Sequence, residues 1–268
     1  MSSLRRLDIE LVRRHLARSR EHAQSLISAG SVKVNGFIAD KAARQVSDSV
    51  SIVLDADDAH WVSRGAHKLI GALDSFAPMG LAVQGKVCLD AGASTGGFTQ
   101  VLLERGASKV YAVDVGYGQL AWPLRNDARV VVMERVNIRY MTPDALAQRP
   151  EVVVADLSFI SLTLVLPAFA ALTSDTGNMV LMVKPQFEVG RDSLSPGGVV
   201  RDPHSRVKAV ARVAAAAAAI GWPAVGVIAS PLPGPSGNVE YFLWLQPASA
   251  ATPLELSHIE EAVQEGPQ

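Results

Sequence analysis

From residue 84 onward the chain alternates short, almost wholly apolar runs with segments of helical pattern, and few folds accommodate that alternation. The runs are KVCLDA (86–91), KVYAVDV (109–115), VVVMER (130–135), EVVVADL (151–157) and NMVLMVK (178–184). Strands with so few polar positions are covered on both faces, and helical connections between them predict a mostly parallel sheet in an α/β domain. Two later runs, AVGVIAS (224–230) and VEYFLWL (239–245), flank PLPGPSGN (231–238). That turn-rich spacing predicts a hairpin that closes the sheet with an antiparallel strand. The Ala-rich stretch VAAAAAAIG (213–221) is short and preceded by Arg and Lys, so it reads as a packed amphipathic helix. No segment approaches the roughly 20 apolar residues needed to cross a bilayer.

The 268 residues, 49% hydrophobic and 19% charged, can core one large domain and a small appendage. The single cysteine, Cys88, excludes an internal disulfide, fits a reducing compartment and reads as a small buried hydrophobe. Six scattered histidines show no metal-ligand spacing, so no metal is expected. The N-terminal arginines are not followed by an apolar stretch, which argues against a signal peptide and for a cytoplasmic protein.

A net charge of −1 conceals an asymmetry. Residues 1–45 hold seven Arg and two Lys against four acids, a balance of +5, and the remainder carries −6. A basic binding module attached to an acidic body is the expected organisation. RLDIELVRRHLA (6–17) places Leu7, Leu11, Val12 and Leu16 near one helical face and leaves Arg13 and Arg14 outside it. Ser19 is the expected N-cap of a second helix and Gly30 its stop. VKVNGF (32–37) is a strand entering an Asn-Gly turn, SVSIVL (49–54) a further strand, and DADDAH (55–60) the linker. The stretch RRLDIELVRRHLARSREHAQSLISAGSVKVNG resembles the RNA-binding module named after ribosomal small-subunit protein four. The candidates for phosphate contact are Arg5, Arg6, Arg13, Arg14, Arg18, Arg20 and Lys33.

Asp90-Ala-Gly92-Ala-Ser94-Thr95-Gly96-Gly97-Phe98 lies between the first strand of the large domain and its helix. A dinucleotide fingerprint would read GxGxxG and deliver a pyrophosphate to the helix N-terminus. Here the pattern is DxGxxxGG. An acid at the loop entrance repels a pyrophosphate but can hold the ammonium group of a methionine moiety. Asp90 therefore points to S-adenosylmethionine, with Gly92, Ser94, Thr95, Gly96, Gly97 and Phe98 around it. Asp114 ends the second strand, where an acid accepts hydrogen bonds from ribose hydroxyls. NAD would use the same acid, so Asp114 does not separate the two cofactors. The segment GYGQLAW (116–122) is a candidate source of apolar walls for adenine.

Across its length the chain resembles a known family. RGAHKL, LDAGASTGGF, DVGYGQLAW, ADLSFISL, VKPQFEVG and PGPSGNVEYFLWL are similar to motifs of the TlyA family of rRNA 2′-O-methyltransferases. The resemblance implies a class I, Rossmann-like methyltransferase fold with a small N-terminal α+β RNA-binding domain. It also implies a Lys-Asp-Lys-Glu tetrad, which falls on Lys68, Asp156, Lys184 and Glu240. The expected boundaries are an RNA-binding domain at 1–58, a linker and leading helix carrying Lys68 at 59–83, and the methyltransferase domain at 84–268.

A ribose hydroxyl is a poor nucleophile, so methyl transfer needs a positioned base and in-line alignment with the sulfonium. Lys184 is the candidate base, although a free lysine titrates at about 10.4 and is mostly protonated. Asp156 and Glu240 would orient Lys184 and the hydroxyl, while Lys68 supplies charge and positions substrate. Phe159 either lines the cofactor pocket or belongs to the core, and Glu188 is a second acid near Lys184. The segment 190–203 is a mobile lid or a long connection. The implied acceptor is a cytidine 2′-hydroxyl in rRNA of ribosomal subunits, of both subunits given the N-terminal module and the tail TPLELSHIEEAVQEG. Two rival readings remain: a membrane-active hemolysin, a label this family carries, and a catalytically inactive RNA-binding protein. The intact tetrad argues against the second, and the absence of a spanning segment against the first.

Overall fold

The computed structural model describes residues 4–17, 19–28, 30–54, 60–190, 194–195, 197–234 and 236–266. The chain divides into two units, Met1–Arg64 and Gly65–Gln268. The first contains β1 (Arg5–Arg6), α1 (Leu7–Arg13), α2 (Arg20–Ser28), β2 (Val32–Val34), β3 (Phe37–Ile38), β4 (Gln45–Val46) and β5 (Ile52–Leu54). Strand β2 pairs antiparallel with β3 and β5, and β1 with β4. The turn between β2 and β3 has Asn35 at φ 53° and Gly36 at φ 83°, the left-handed pair that an Asn-Gly hairpin turn needs.

Helix α1 stops at Arg13, earlier than its apolar pattern extends. His15 takes φ 59°, and the amides of His15 and Leu16 turn back to the carbonyls of Val12 and Leu11. This is a Schellman-type end with histidine where glycine is usual. It still brings Leu16 against the cluster that buries Leu7 and Leu11, with Val12 also packed on it. Ser19 caps α2 by accepting from His22 N, and Gly30 (φ 74°) ends it. The expected linker falls almost entirely on residues 55–59, outside the described residues.

Two carboxylates with no exposed surface, Asp8 and Glu10, organise this unit. Asp8 accepts from Arg6, Arg20 and Gln24, and Glu10 from Arg13 and Arg14. Arg14 also donates to the carbonyls of Ser47, Asp48 and Val50, closing the first helix onto the later strands.

The second unit begins with α3 (Gly65–Phe76), which carries Lys68. It continues with β6 (Val87–Ala91), α4 (Gly97–Glu104), β7 (Lys109–Asp114), α5 (Trp122–Arg125), β8 (Val130–Glu134), β9 (Val152–Ala155), α6 (Leu166–Leu172) and β10 (Asn178–Val183). The last elements are α7 (Pro185–Glu188), α8 (Pro203–Ala219), β11 (Ala224–Ala229), β12 (Tyr241–Leu245) and α9 (Leu256–Glu265). Seven strands form one sheet in the order β11-β12-β10-β9-β6-β7-β8. Strands β6 to β10 are parallel, and β12 lies antiparallel between β10 and β11. The hairpin expected from residues 224–245 is present, with β12 inserted inside the sheet. This is the class I methyltransferase topology.

Alternation along the buried strands sends side chains to two covered faces. Leu89, Val153, Leu181 and Leu243 pack with Phe169 of α6, Val213 of α8 and Val263 of α9. On the opposite face Phe242 meets Phe98 of α4 and Trp244 meets Phe76 of α3. The chain leaves β6 for β7 on one side while β9 lies on the other. This reversal of strand order opens a crevice at the carboxyl ends, where open α/β sheets place their ligands.

Candidate active site

The loop after β6 is shaped by close backbone approaches. Gly92 (φ 84°) donates to Val113 O, and a Cβ added there would lie 2.4 Å from the carbonyl oxygen of Asp156. Glycine thus lets the cofactor loop lie directly against the segment after β9. Gly96 (φ 100°) precedes α4 and abuts Leu120 and Leu124. Ser94 (φ 48°) donates its backbone N–H to Asp114 Oδ2 at 2.7 Å, and Gly116 N donates to Oδ1 at 2.7 Å. Each Asp114 oxygen retains capacity for a second donor.

Above this loop lies a cleft of about 520 Å³, within the range of small-molecule sites. Of the predicted cofactor residues, Gly92, Ser94, Asp114 and Phe159 line it, together with Asp156. Phe98 does not: it is buried against Phe242 in the face covered by α4. Thr95, Gly96 and Gly97 shape the turn behind the lining. Gln119 from GYGQLAW and Leu157, Ser158 and Ile160 from ADLSFISL also line the cleft, as do Val136, Asn137 and Ile138, which belong to no motif singled out in the sequence.

Asp90 is fully buried beneath the loop. Thr99 Oγ1 donates to its Oδ2 at 2.6 Å, while Oδ1 has no hydrogen-bond partner among the described residues. Burial pushes its carboxyl up to about 7 against the opposing Thr99 bond, and Asp156 and Asp114 add to the rise. An unpartnered buried acceptor, with two further carboxylates at the cleft, is an environment that a cationic ligand relieves. Cys88 on the same strand is buried and its thiol is pushed up to about 12, which leaves no thiolate for chemistry.

The four tetrad positions form two ion pairs. Lys184, immediately after β10, places Nζ 2.5 Å from Asp156 Oδ1 and donates to Ser158 Oγ at 3.0 Å. Lys68 on α3 places Nζ 2.5 Å from Glu240 Oε2, and both of these side chains are buried. The direct partner of Glu240 is therefore Lys68, whereas the sequence reading had it orient Lys184. Glu188 turns inward. It accepts from Ser161 Oγ and Leu162 N, and burial raises its carboxyl.

Comparison with known proteins accounts for both units. A model described as FtsJ-like methyltransferase matches residues 61–247, and an S4 domain model matches 5–52. A protein of Mycobacterium tuberculosis named 16S/23S rRNA (cytidine-2′-O)-methyltransferase TlyA is 58% identical, with 100% of each chain covered. The chain belongs to the TlyA family. Hemolysin A of Brachyspira hyodysenteriae is 40% identical over 83% of this chain and 92% of its own. A solved structure from Streptococcus thermophilus, described as a hemolysin, superposes with a TM-score of 0.78 at 38% identity, covering 99% and 96% of the two chains. This TlyA-family chain is a methyltransferase, and S-adenosylmethionine is its cofactor. No helix among the described residues is long and apolar enough to cross a membrane.

The predicted RNA contacts are unequal. Arg5 pairs with Asp48, Arg6 and Arg20 with Asp8, and Arg13 with Glu10, yet all keep a third or more of the side chain exposed. Arg14 is drawn inward. Lys33 sits on β2, and Arg18 lies outside the described residues. Exposed aromatics follow the sheet's carboxyl ends: Phe159 and, in GYGQLAW, Tyr117 and Trp122 were expected at the cofactor, whereas Tyr140 and the arginines beside the rings were missed. Arg135 lies 4.2 Å over the ring of Tyr117, Arg139 5.5 Å from that of Tyr140, and Trp122 and Phe159 are largely exposed.

Proposed function

We propose that this TlyA-family enzyme transfers a methyl group to the 2′-hydroxyl of cytidine in rRNA of both ribosomal subunits. The observation that carries the chemistry is the Asp156–Lys184 pair at the cleft, 2.5 Å apart at the carboxyl edge of the sheet. The choice of acceptor is supported by full-length identity of 58% to a relative named for cytidine in 16S and 23S rRNA.

S-adenosylmethionine supplies an electrophilic methyl on a sulfonium. Asp114 offers acceptor capacity for ribose hydroxyls of the cofactor, and Asp90 Oδ1 an acceptor beneath its cationic end. Lys184 Nζ takes the proton from the acceptor hydroxyl as that oxygen is methylated, and Asp156 holds Nζ in place. The Lys68–Glu240 pair adds a fixed charge arrangement that positions substrate. The first unit is the RNA anchor through Arg5, Arg6, Arg13 and Arg20. Aromatic rings stacked with arginines are suited to unpaired bases around a target nucleotide, and they supply a second contact on the methyltransferase unit itself.

The test is incubation with labelled S-adenosylmethionine and separate small and large subunits, followed by mapping of ribose methylation. Lys184→Ala should abolish transfer and leave cofactor binding intact; normal turnover would remove Lys184 from this role. Removing residues 1–58 should weaken rRNA binding and flatten its salt dependence.

A further inference from the structure

Ser158 lies two residues beyond Asp156, lines the cleft, and has no part in the four-residue tetrad. Its Oγ is 3.0 Å from Lys184 Nζ, and Asp156 Oδ1 is 2.5 Å from the same nitrogen. Ser158 Oγ accepts from Nζ and directs one of its hydrogens, while Asp156 Oδ1 pairs with the nitrogen by charge and takes no hydrogen bond from it. The nitrogen is tetrahedral, so a hydrogen held on Ser158 fixes the rotation about Cε–Nζ and with it the two remaining directions. In the neutral amine one of these is the lone pair.

The segment that presents Ser158 is held firmly. Phe159 adopts φ 65°, a conformation bulky residues take only where their surroundings impose it. Its ring lies 5.3 Å from that of Phe187, and Glu188 accepts from Ser161 Oγ at 2.6 Å and Leu162 N at 2.7 Å. Phe187 and Glu188 belong to α7, which starts one residue after Lys184. The loop after β9 and the segment after β10 are thus joined at three successive levels, with Ser158–Lys184 nearest the cleft.

We propose that Ser158 is a positioning residue for methyl transfer: Asp156 holds Lys184 Nζ by charge, and the hydrogen bond to Ser158 fixes the rotation of Nζ and aims its lone pair at the acceptor hydroxyl. This rests on the reading of Lys184 as the base. Ser158 exchanges no proton. Its Oγ accepts from Nζ throughout, while the proton of the acceptor hydroxyl passes to Nζ and the methyl group to the hydroxyl oxygen.

The test compares Ser158→Ala, Ser158→Val and Ser158→Thr in the full-length enzyme, using the ribosomal subunits that the wild type methylates. Ala and Val should lower kcat by about tenfold or more, with KM for S-adenosylmethionine nearly unchanged. Thr, which keeps the hydroxyl, should retain most of kcat. Val and Thr are close in shape, so a packing role would move them together, and equal rates for the two would overturn the proposal. Lys184→Ala run alongside separates the failures. If it turns over normally, the base assignment falls. If it is inactive while Ser158→Ala matches wild type, only the role of Ser158 falls.

Discussion

Lys68 and Glu240, 172 residues apart in the chain, meet with Nζ 2.5 Å from Oε2, and their side chains are only 9% and 1% exposed. The contact joins the first helix of the methyltransferase unit to the entrance of the inserted antiparallel strand. Gly234 crowds it from the other side, since a Cβ there would lie 2.7 Å from Glu240 Oε1.

Removing one partner of such a pair strands the other in a low-dielectric site. Glu240→Ala should destabilise the protein by about 3–5 kcal/mol in denaturant unfolding. The double variant Lys68→Met/Glu240→Leu should recover most of that stability without recovering methyl transfer. Recovery of both would mean that the pair serves packing alone.

Gly92 and Gly118 both have positive φ, but only Gly92 has a neighbour where a Cβ would stand. Gly118→Ala should cost about 1 kcal/mol, the conformational penalty alone. Gly92→Ala adds the clash with the Asp156 carbonyl, so it should cost about 2 kcal/mol or more and weaken cofactor binding. Equal melting temperatures and affinities for the two variants would contradict the close approach.

Asp90 is raised to about 7 by burial, so the folded state holds a proton that the unfolded chain releases at about 3.9. Stability should therefore decline as pH rises between those values, and Asp90→Asn should flatten that decline. A cationic cofactor favours the ionised carboxylate, so S-adenosylmethionine affinity should increase with pH and level off above 7. Calorimetric titration from pH 5.5 to 8 reads this directly, and a slope shared by wild type and Asp90→Asn would exclude Asp90 as its source.

In the first unit the sign is opposite. The Arg13 guanidinium, with Arg14, holds Glu10 down to about 2, and Arg6 holds Asp8 far below the carboxylate range. Their stabilisation is complete above the unfolded values near about 4 and disappears as pH falls toward 2. Signals from residues 7–28 should melt at progressively lower temperature between pH 5 and pH 2.5, and Glu10→Gln should reduce that dependence.

Much of this architecture was legible because it follows from local pattern. Apolar runs without a polar face predicted a buried parallel sheet, and PLPGPSGN predicted the final hairpin. Ser19 and Gly30 marked the limits of α2. Other features depend on which way a side chain turns. Phe98 follows the glycine loop in sequence yet packs into the core, and Arg14 sits in a basic run yet is absorbed by Glu10 and three carbonyls. The end of α1 was misjudged because His15 takes a left-handed conformation that its residue type does not announce.

The sequence by itself determined the sheet and the glycine loop with Asp90 at its entrance, while the four charged residues were picked out by the family resemblance. Periodicity, backbone freedom and ionic character are properties of residues and their near neighbours. The partnership of those charges was decided only by the tertiary structure. Strand order brings Asp156 beside Lys184, and the insertion of β12 brings Glu240 to Lys68. Ser158 enters for the same reason: a hydrogen bond is set by position within a few tenths of an ångström, and spacing along the chain carries no such information.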